Sequence, residues 1–240
     1  MVDFNIILMS GRGKRFKEKR YSVPKPLLDI DNNTLIEKLI INFPTCKAWL
    51  FVVNNEVLNH ARFQDFYESF DYPKDIFLID EITNGQATSC LLALSKLNAN
   101  NNFFVGSCDA IFNQKIEIDT SLNLDGIIFT TKPNNKQLNN SEKYGWVSGQ
   151  KKIDNVFCKE KIKNADKYGI IVGSFFFKSK KIYSDIYDVL TQNNLFVNNE
   201  LYIDSMFKVL NSNNYVIENY LQDVDIIGTP EEYESYIKKK

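Results

Sequence analysis

The sequence predicts an α/β fold: a Rossmann-like, mainly parallel or mixed sheet flanked by helices. Three observations carry that reading. Short apolar runs such as FNIILM (4–9) and AWLFVVN (48–54) are apolar at consecutive positions, as in a strand buried on both faces. Segments with apolar residues at helical spacing lie between them, so strand and helix alternate four times in about 110 residues. The second half then turns strand-rich, with DGIIFTTK, YGWVSGQ, IDNVFC and YGIIVGSFFFK separated by little helical sequence.

The elements follow in order. FNIILM is the first strand, and a basic loop follows it. NTLIEKLIINF opens with Thr34 and Glu37 at capping-box spacing, and Leu35, Ile36, Leu39, Ile40 and Phe43 recur at helical period. The run 48–54 is the second strand, 56–70 a helix, 75–80 the third strand, 86–97 a helix, and 102–108 the fourth strand, ending at Asp109. After the strand-rich stretch, helices are expected at 179–191 and 199–210. YVIENYLQDVDII then gives two short strands, and TPEEYESYIKKK a closing helix. The polar stretch 131–143 has no period and reads as a flexible loop.

Composition excludes several classes of function. At 240 residues the chain fits one domain, and 44% apolar residues with 18 Phe and 12 Tyr are ample for a core. A net charge of −1 argues against a nucleic-acid binder. No apolar run approaches the length of a membrane span, and the acidic N-terminus does not read as a signal peptide. The four cysteines, Cys46, Cys90, Cys108 and Cys158, are scattered, and His60 is the only histidine. A zinc site and a His-based triad are therefore not expected, and a reducing, cytoplasmic compartment fits.

Against that neutral background, Gly11 to Pro26 holds seven basic residues and one acidic residue. The loop leaves the carboxyl end of the first strand, where open parallel sheets bind ligands. Gly11 and Gly13 allow close backbone approach and an anion-binding nest. Arg15 and Lys25 add charge, the first in bidentate fashion and the second as a point charge. Polyphosphate is the ligand this suggests, and a solvated basic loop is the alternative. No P-loop motif is present, and Phe16 stands where a dinucleotide fingerprint needs its third glycine.

The order G-x-G-x-R-F, then P-K-P-L about ten residues on, resembles the signature of nucleotide-sugar pyrophosphorylases and related bacterial nucleotidyltransferases. TNGQATSCLLAL, FFVGSCDAIF, KYGWV, VFCKEKIKNADKYGIIVGSFFF and DVDIIGTPEEYESY resemble later segments of that family. The resemblance implies a single nucleotidyltransferase domain over 1–240. Residues 1–125 would form the nucleotide-binding half and 126–240 a smaller β-rich acceptor-binding half. It implies condensation of a nucleoside triphosphate with a small phosphorylated acceptor, with release of pyrophosphate. Such a reaction needs positioning and charge stabilisation rather than a general base.

On this reading Gly11, Gly13 and Arg15 hold the β- and γ-phosphates. Lys25 reaches the α-phosphate or the acceptor phosphate, and Gly85 and Gln86 lie near the base. Asp109 binds Mg²⁺, with Asp225 as second ligand and Asp223 as its rival. Tyr144, Gly145, Glu160 and Lys161 meet the acceptor. Each has a structural alternative: Asp109 a helix or turn cap, Gln86 a helix residue without a ligand, Glu160 and Lys161 a surface pair, Tyr144 and Trp146 core. Lys17, Lys19 and Arg20 are expected to be mostly solvated.

Two departures stand out. Gly106 is separated from Asp109 by Ser107 and Cys108, and Asp225-Ile226-Ile227-Gly228 has one residue more than the family's D-x-G. A one-residue shift on a strand turns a side chain to the other face. The GQA turn and the IGTPEEY ending resemble compact capsule-associated members. Their acceptors include phosphocholine, glycerol phosphate and phosphoglutamine, and CTP is the favoured donor. A glycosyltransferase of similar architecture and a non-catalytic nucleotide-binding regulator are the rival functions, and a homo-oligomer is left open.

Overall fold

Strand β1 (Val2–Met9) is the spine of the molecule. It pairs in parallel with β4 (Cys46–Val53) on one side and β6 (Phe103–Ser107) on the other, and β4 pairs in parallel with β5 (Lys74–Leu78). The structure, a computed structural model, describes residues 1–239. Between these strands lie the short helix α1 (Lys14–Glu18), a two-residue ribbon of β2 (Asp29–Ile30) and β3 (Asn33–Thr34), and the helices α2 (Leu35–Ile40), α3 (Asn55–Leu58), α4 (Ala61–Ser69) and α5 (Gln86–Ala93).

The second half adds β7 (Ala110–Phe112), β8 (Gly126–Thr131), α6 (Asn135–Leu138), β9 (Gly145–Ser148), β10 (Asn155–Cys158) and β11 (Gly169–Phe177). After them come α7 (Lys180–Gln192), α8 (Ile203–Ser212), β12 (Ile217–Leu221), β13 (Val224–Ile226) and α9 (Pro230–Lys238). The sheet is therefore mixed: β11 runs antiparallel to β6 and β8, and β12 runs parallel to β8.

Period-two alternation builds the core. Ile7, Phe51, Val53 and Phe104 face one layer with Leu35 and Leu39 of α2, Phe63 and Phe66 of α4, and Tyr233 of α9. Ile6, Leu50, Val52 and Val105 face the other with Ala87 and Cys90 of α5, Tyr183 of α7, and Met206 and Phe207 of α8. Each central strand is covered on both faces, which is why its sequence is apolar at consecutive positions. The buried Tyr183 hydroxyl donates to the Ala87 carbonyl at 2.8 Å, satisfying its one polar atom and tying α7 to α5.

Helix starts follow side-chain chemistry. The Glu37 carboxylate accepts from the Thr34 amide at 2.6 Å, closing the expected capping box on α2. The helix expected over 56–70 is broken instead, because His60 caps a new start: its Nδ1 accepts from the Arg62 amide at 3.3 Å. The expected loop 131–143 is ordered by an Asn134–Gln137 capping box and a 3₁₀ turn at Ser141–Lys143. Polar caps carry no hydrophobic period, so periodicity misses such elements.

One irregularity makes the cleft. Along one edge β11 pairs with β8 at both ends. Along the other it pairs first with β9 at Gly169 and Ile170, then with β6 from Phe175 onward. Between them the register shifts at a bulge containing Gly173 (φ 73°). The sheet forks there. β9 flanks the first residues of β11 and β6 its last, and Ile171, Val172 and Gly173 between them line the cleft. Trp146, with its Nε1 donating to the Ser141 carbonyl at 2.8 Å, is fully buried in that lobe with Ala165 and Ile170.

Candidate active site

The basic loop is held from below. Gly13 (φ 60°) turns the chain, its carbonyl accepts from the Phe16 and Lys17 amides, and Phe16 drops into the core. There Phe16 meets Tyr21 and Tyr233 edge-on at 5.4 and 6.1 Å, which anchors the loop to α9. Lys25 follows at a 3₁₀ turn, 11% exposed. Its ammonium lies 5.4 Å from the Phe16 ring centre and pairs with the Asp109 carboxylate, itself 54% exposed. These two residues are 84 positions apart. Asp109 lies just past the end of β6, the parallel neighbour of β1, and Lys25 belongs to the loop that follows β1.

Asp109, but not Lys25, lines a cleft with a volume of about 500 Å³. Arg15, Gln86, Asp109, Tyr144, Gly145 and Lys159 are among the residues that line it. The Tyr144 hydroxyl donates to Glu232 Oε1 at 3.1 Å, and burial, then the Glu232 charge, pushes its pKa up to about 12. Glu232 also accepts from the Thr229 amide at 2.9 Å as the capping-box residue of α9. Gly11 is exposed, and a Cβ there would meet nothing within 4 Å; neither it nor Gly13 lines the cleft.

Gly85 has a structural reason for being glycine. Its φ of 120° is closed to side chains, and a Cβ would lie 2.6 Å from the Leu201 carbonyl oxygen. Ala87 donates to that carbonyl at 3.1 Å, and the Leu201 amide donates to the Asn84 carbonyl at 2.6 Å. The turn that presents Gln86 is thereby locked to the segment before α8.

Several expected residues lie elsewhere. Asp225 is not beside Asp109. It pairs with Ile111 across the β13–β7 ribbon, accepts from Asn113 Nδ2 at 3.2 Å, and lines a separate hollow of about 160 Å³ with Thr131 and Gln137. Its neighbour Ile226 lines the cleft. The extra residue before Gly228 did turn the carboxylate away, and no bulge restored it. Asp223 is exposed and does not line the cleft either.

Glu160 pairs with Lys208 at 2.9 Å on the surface, and Lys161 is exposed outside the cleft. Lys159, at a positive φ of 52°, is the basic residue of that stretch that faces inward. Trp146 is core rather than wall. Lys17 and Lys19 are exposed yet paired, with Glu56 at 2.5 Å and Glu231 at 3.3 Å.

Sequence reasoning did not find Lys159, Glu200, Tyr202 or Asp204, all of which line the cleft. Asp204 did leave a signal. It sits in IDSMF, among the apolar residues that α8 buries, and is itself only 6% exposed. Burial, opposed in part by the Lys159 charge, raises its pKa to about 6. Gly145 is the residue that admits it, since a Cβ there would lie 2.1 Å from Asp204 Oδ2.

Among the described residues no group of three or more His, Cys, Asp or Glu is placed to hold a metal ion, and no helix is long and apolar enough to cross a membrane. All four cysteines are free thiols.

No curated protein matches this chain. Solved structures match it over almost their full length. A nucleoside-diphosphate-sugar pyrophosphorylase from Vibrio cholerae RC9 is 21% identical with a TM-score of 0.79, over 98% of this chain and 99% of that one. A putative glucose-1-phosphate thymidylyltransferase from Bacillus anthracis is 16% identical with a TM-score of 0.76, over 100% and 95%. The inositol-1-phosphate CTP transferase from T. maritima is 17% identical with a TM-score of 0.73, over 99% and 94%. These likenesses establish the fold. Residues 5–123, the stretch that carries Gly11, Gly13, Arg15, Lys25, Gln86 and Asp109, match the family of MobA-like NTP transferase domains, within a fold that the whole chain shares with nucleotide-sugar pyrophosphorylases.

Proposed function

We propose that the protein is a nucleotidyltransferase. It would join an NTP, CTP by preference, to a small phosphorylated acceptor, giving an NDP-linked precursor for a surface or capsular polysaccharide and pyrophosphate. The observation that carries this reading is the ion pair between Lys25 of the loop that follows β1 and Asp109 just past the end of the parallel strand β6, with Asp109 lining the cleft beside Arg15. A glycosyltransferase of similar architecture would leave the PKPL loop without a role.

In this reaction an acceptor phosphate oxygen attacks the α-phosphorus. The bond from that phosphorus to the bridging oxygen of the β-phosphate breaks, and pyrophosphate leaves with the electron pair. The nucleophile is already an anion, so no general base is needed. The barrier is charge repulsion and positioning. Gly11 and Gly13 would bring backbone to the β- and γ-phosphates, Arg15 would neutralise them, and Gln86 would border the base. Lys25 would sit against the α-phosphate, held by Asp109 and by the Phe16 face. On the acceptor side, Lys159 rather than Lys161 would take the phosphate.

The residues fit a magnesium ion, which this fold's reaction implies. Mg²⁺ is commonly held by one or two carboxylates together with substrate phosphates, and Asp109 presents a half-exposed carboxylate in the cleft. Bound there, the ion would neutralise charge developing on the phosphates. Asp225, facing Asn113, would take no part.

The decisive experiment is a matrix of four NTPs against sugar 1-phosphates, inositol 1-phosphate, glycerol phosphate, phosphocholine and phosphoglutamine, read by product identity. Pyrophosphate release, greatest with CTP, is expected. Release of NDP from a nucleotide-sugar would make the protein a glycosyltransferase. Nucleotide binding without turnover would make it a regulator.

A further inference from the structure

Four successive residues at the start of α9 each hold a segment that forms the site. Glu231 pairs with Lys19 at 3.3 Å, and Glu234 accepts from the Tyr21 hydroxyl at 3.0 Å. Tyr233 meets Phe16 and Tyr21 edge-on, with ring centres 6.1 and 6.0 Å away. These three contacts go to the basic loop. Glu232 reaches instead to Tyr144, the residue before β9, whose hydroxyl donates to its Oε1 at 3.1 Å.

Glu232 uses its other oxygen as well. Oε2 accepts from the Thr229 amide at 2.9 Å, which fixes the turn at Gly228 and Thr229. That turn lies against Asp109. The Ile227 amide donates to the Asp109 carbonyl at 2.7 Å, and a Cβ on Gly228 would be 3.8 Å from Asp109 Cβ and 3.6 Å from Glu232 Oε2. One carboxylate therefore bridges Tyr144 and the segment that backs Asp109. Tyr144, Asp109, Gly228, Thr229 and Glu232 all line the cleft. Burial, then the Glu232 charge, raises the Tyr144 pKa, and the Arg15 charge opposes the rise, so Arg15 is close enough to act on the same hydroxyl.

The transfer chemistry makes this spacing matter. An acceptor phosphate has to be held in line with the α-phosphorus, and a misplacement of about 1 Å can cost about a hundredfold. A carboxylate can accept from two donors at once, whereas an amide offers one acceptor oxygen and a nitrogen that only donates. A capping box is closed equally well by Glu or Gln. The bridge to Tyr144 is what requires Glu.

We infer that Glu232 is a positioning residue for the transfer. Through Tyr144 and Thr229 it sets the distance between the acceptor wall and Asp109, without itself touching the reacting atoms. The inference rests on the nucleotidyl-transfer reading and adds to it a residue that reading does not use.

The test compares Glu232→Gln, Tyr144→Phe and the double variant with wild type. Pyrophosphate release is measured with magnesium, the four NTPs, and glucose 1-phosphate, inositol 1-phosphate, glycerol phosphate, phosphocholine and phosphoglutamine. The pair that wild type turns over best is carried forward. Each single variant should lower kcat/KM for the acceptor by about 10- to 100-fold, while KM for the NTP stays within about twofold. The double variant should be no worse than the poorer single one, because both changes remove the same bridge. Hydrogen exchange reads the bridge without activity. In Glu232→Gln the amides of Gly145–Ser148 and of Thr229 should exchange faster, and those of Val2–Met9 should not. Wild-type-like kinetics or exchange in Glu232→Gln would overturn the inference while leaving nucleotidyl transfer standing. So would multiplied losses in the double variant, or a parallel rise in both KM values, which is the result of a general loosening of α9. Absence of pyrophosphate from every pair with wild type would overturn both.

Discussion

Replacing Asp204 by Asn should stabilise the free protein at neutral pH. The carboxylate is 6% exposed, and its surroundings are Lys159, Cys158 and Tyr202, of which only Lys159 carries opposite charge. Burial raises its pKa from 3.8 to about 6. Between those values the folded chain binds a proton that the unfolded chain has released, so stability falls as pH rises from about 4 to about 6, and above that the full cost is present. A rise of about two units at about 1.4 kcal/mol each amounts to about 3 kcal/mol.

The asparagine variant keeps the shape without the charge. At pH 7.5 it should unfold about 3 kcal/mol later in urea and melt about 6–12 °C higher, the usual conversion for a domain of this size. Near pH 4 the two proteins should be alike. The assay is urea unfolding followed by tryptophan fluorescence at pH 4, 5, 6 and 7.5, for both proteins. If wild type and Asp204→Asn lose stability in parallel across that range, or if the variant is the weaker at pH 7.5, Asp204 is not a buried, poorly compensated carboxylate.

Further expectations follow from the geometry. Lys25→Ala should lower kcat by at least about a hundredfold, the scale of losing one transition-state charge contact; near-wild-type turnover would remove Lys25 from the chemistry. Asp109→Asn should abolish magnesium-dependent turnover while the melting temperature stays within a few degrees, whereas Asp225→Asn should turn over like wild type, and comparable losses in both would contradict the faces assigned to β7 and β13. Gly85→Ala should cost about 2–6 kcal/mol, from a forbidden backbone conformation and collision with the Leu201 backbone. Gly11→Ala, with open space around it, should change stability by about 1 kcal/mol or less yet weaken nucleotide-analogue binding in calorimetry. A stable Gly85→Ala protein would show that the Leu201 contact yields.

Much of this was legible in the chain. The parallel sheet follows from runs that are apolar at every position, because only strands covered on both faces tolerate that pattern. The expectation of an anion-binding loop follows from the first strand, the glycine spacing and the charge in one loop. Asp109 is identifiable because it follows an apolar strand in a segment that resembles the family's, while the place of that strand beside β1 comes from the structure. What went unread has a common cause. Asp225 and Ile226 differ by one position, and which faces the cleft depends on how two three-residue strands register across 112 positions of chain. Lys159 and Lys161 differ by the positive φ at Lys159, which local composition does not encode.

The sequence by itself therefore determined the fold class, the alternation of strand and helix in the first half and the basic loop after the first strand. Hydrophobic period and glycine spacing are local properties, and they act wherever the chain goes. Tertiary structure alone decided which carboxylates share the cleft, that Gly85 must clear the Leu201 backbone, and that Asp204 of α8 reaches the cleft past the missing side chain of Gly145. Those outcomes depend on distances between segments far apart in the chain, and only packing sets such distances.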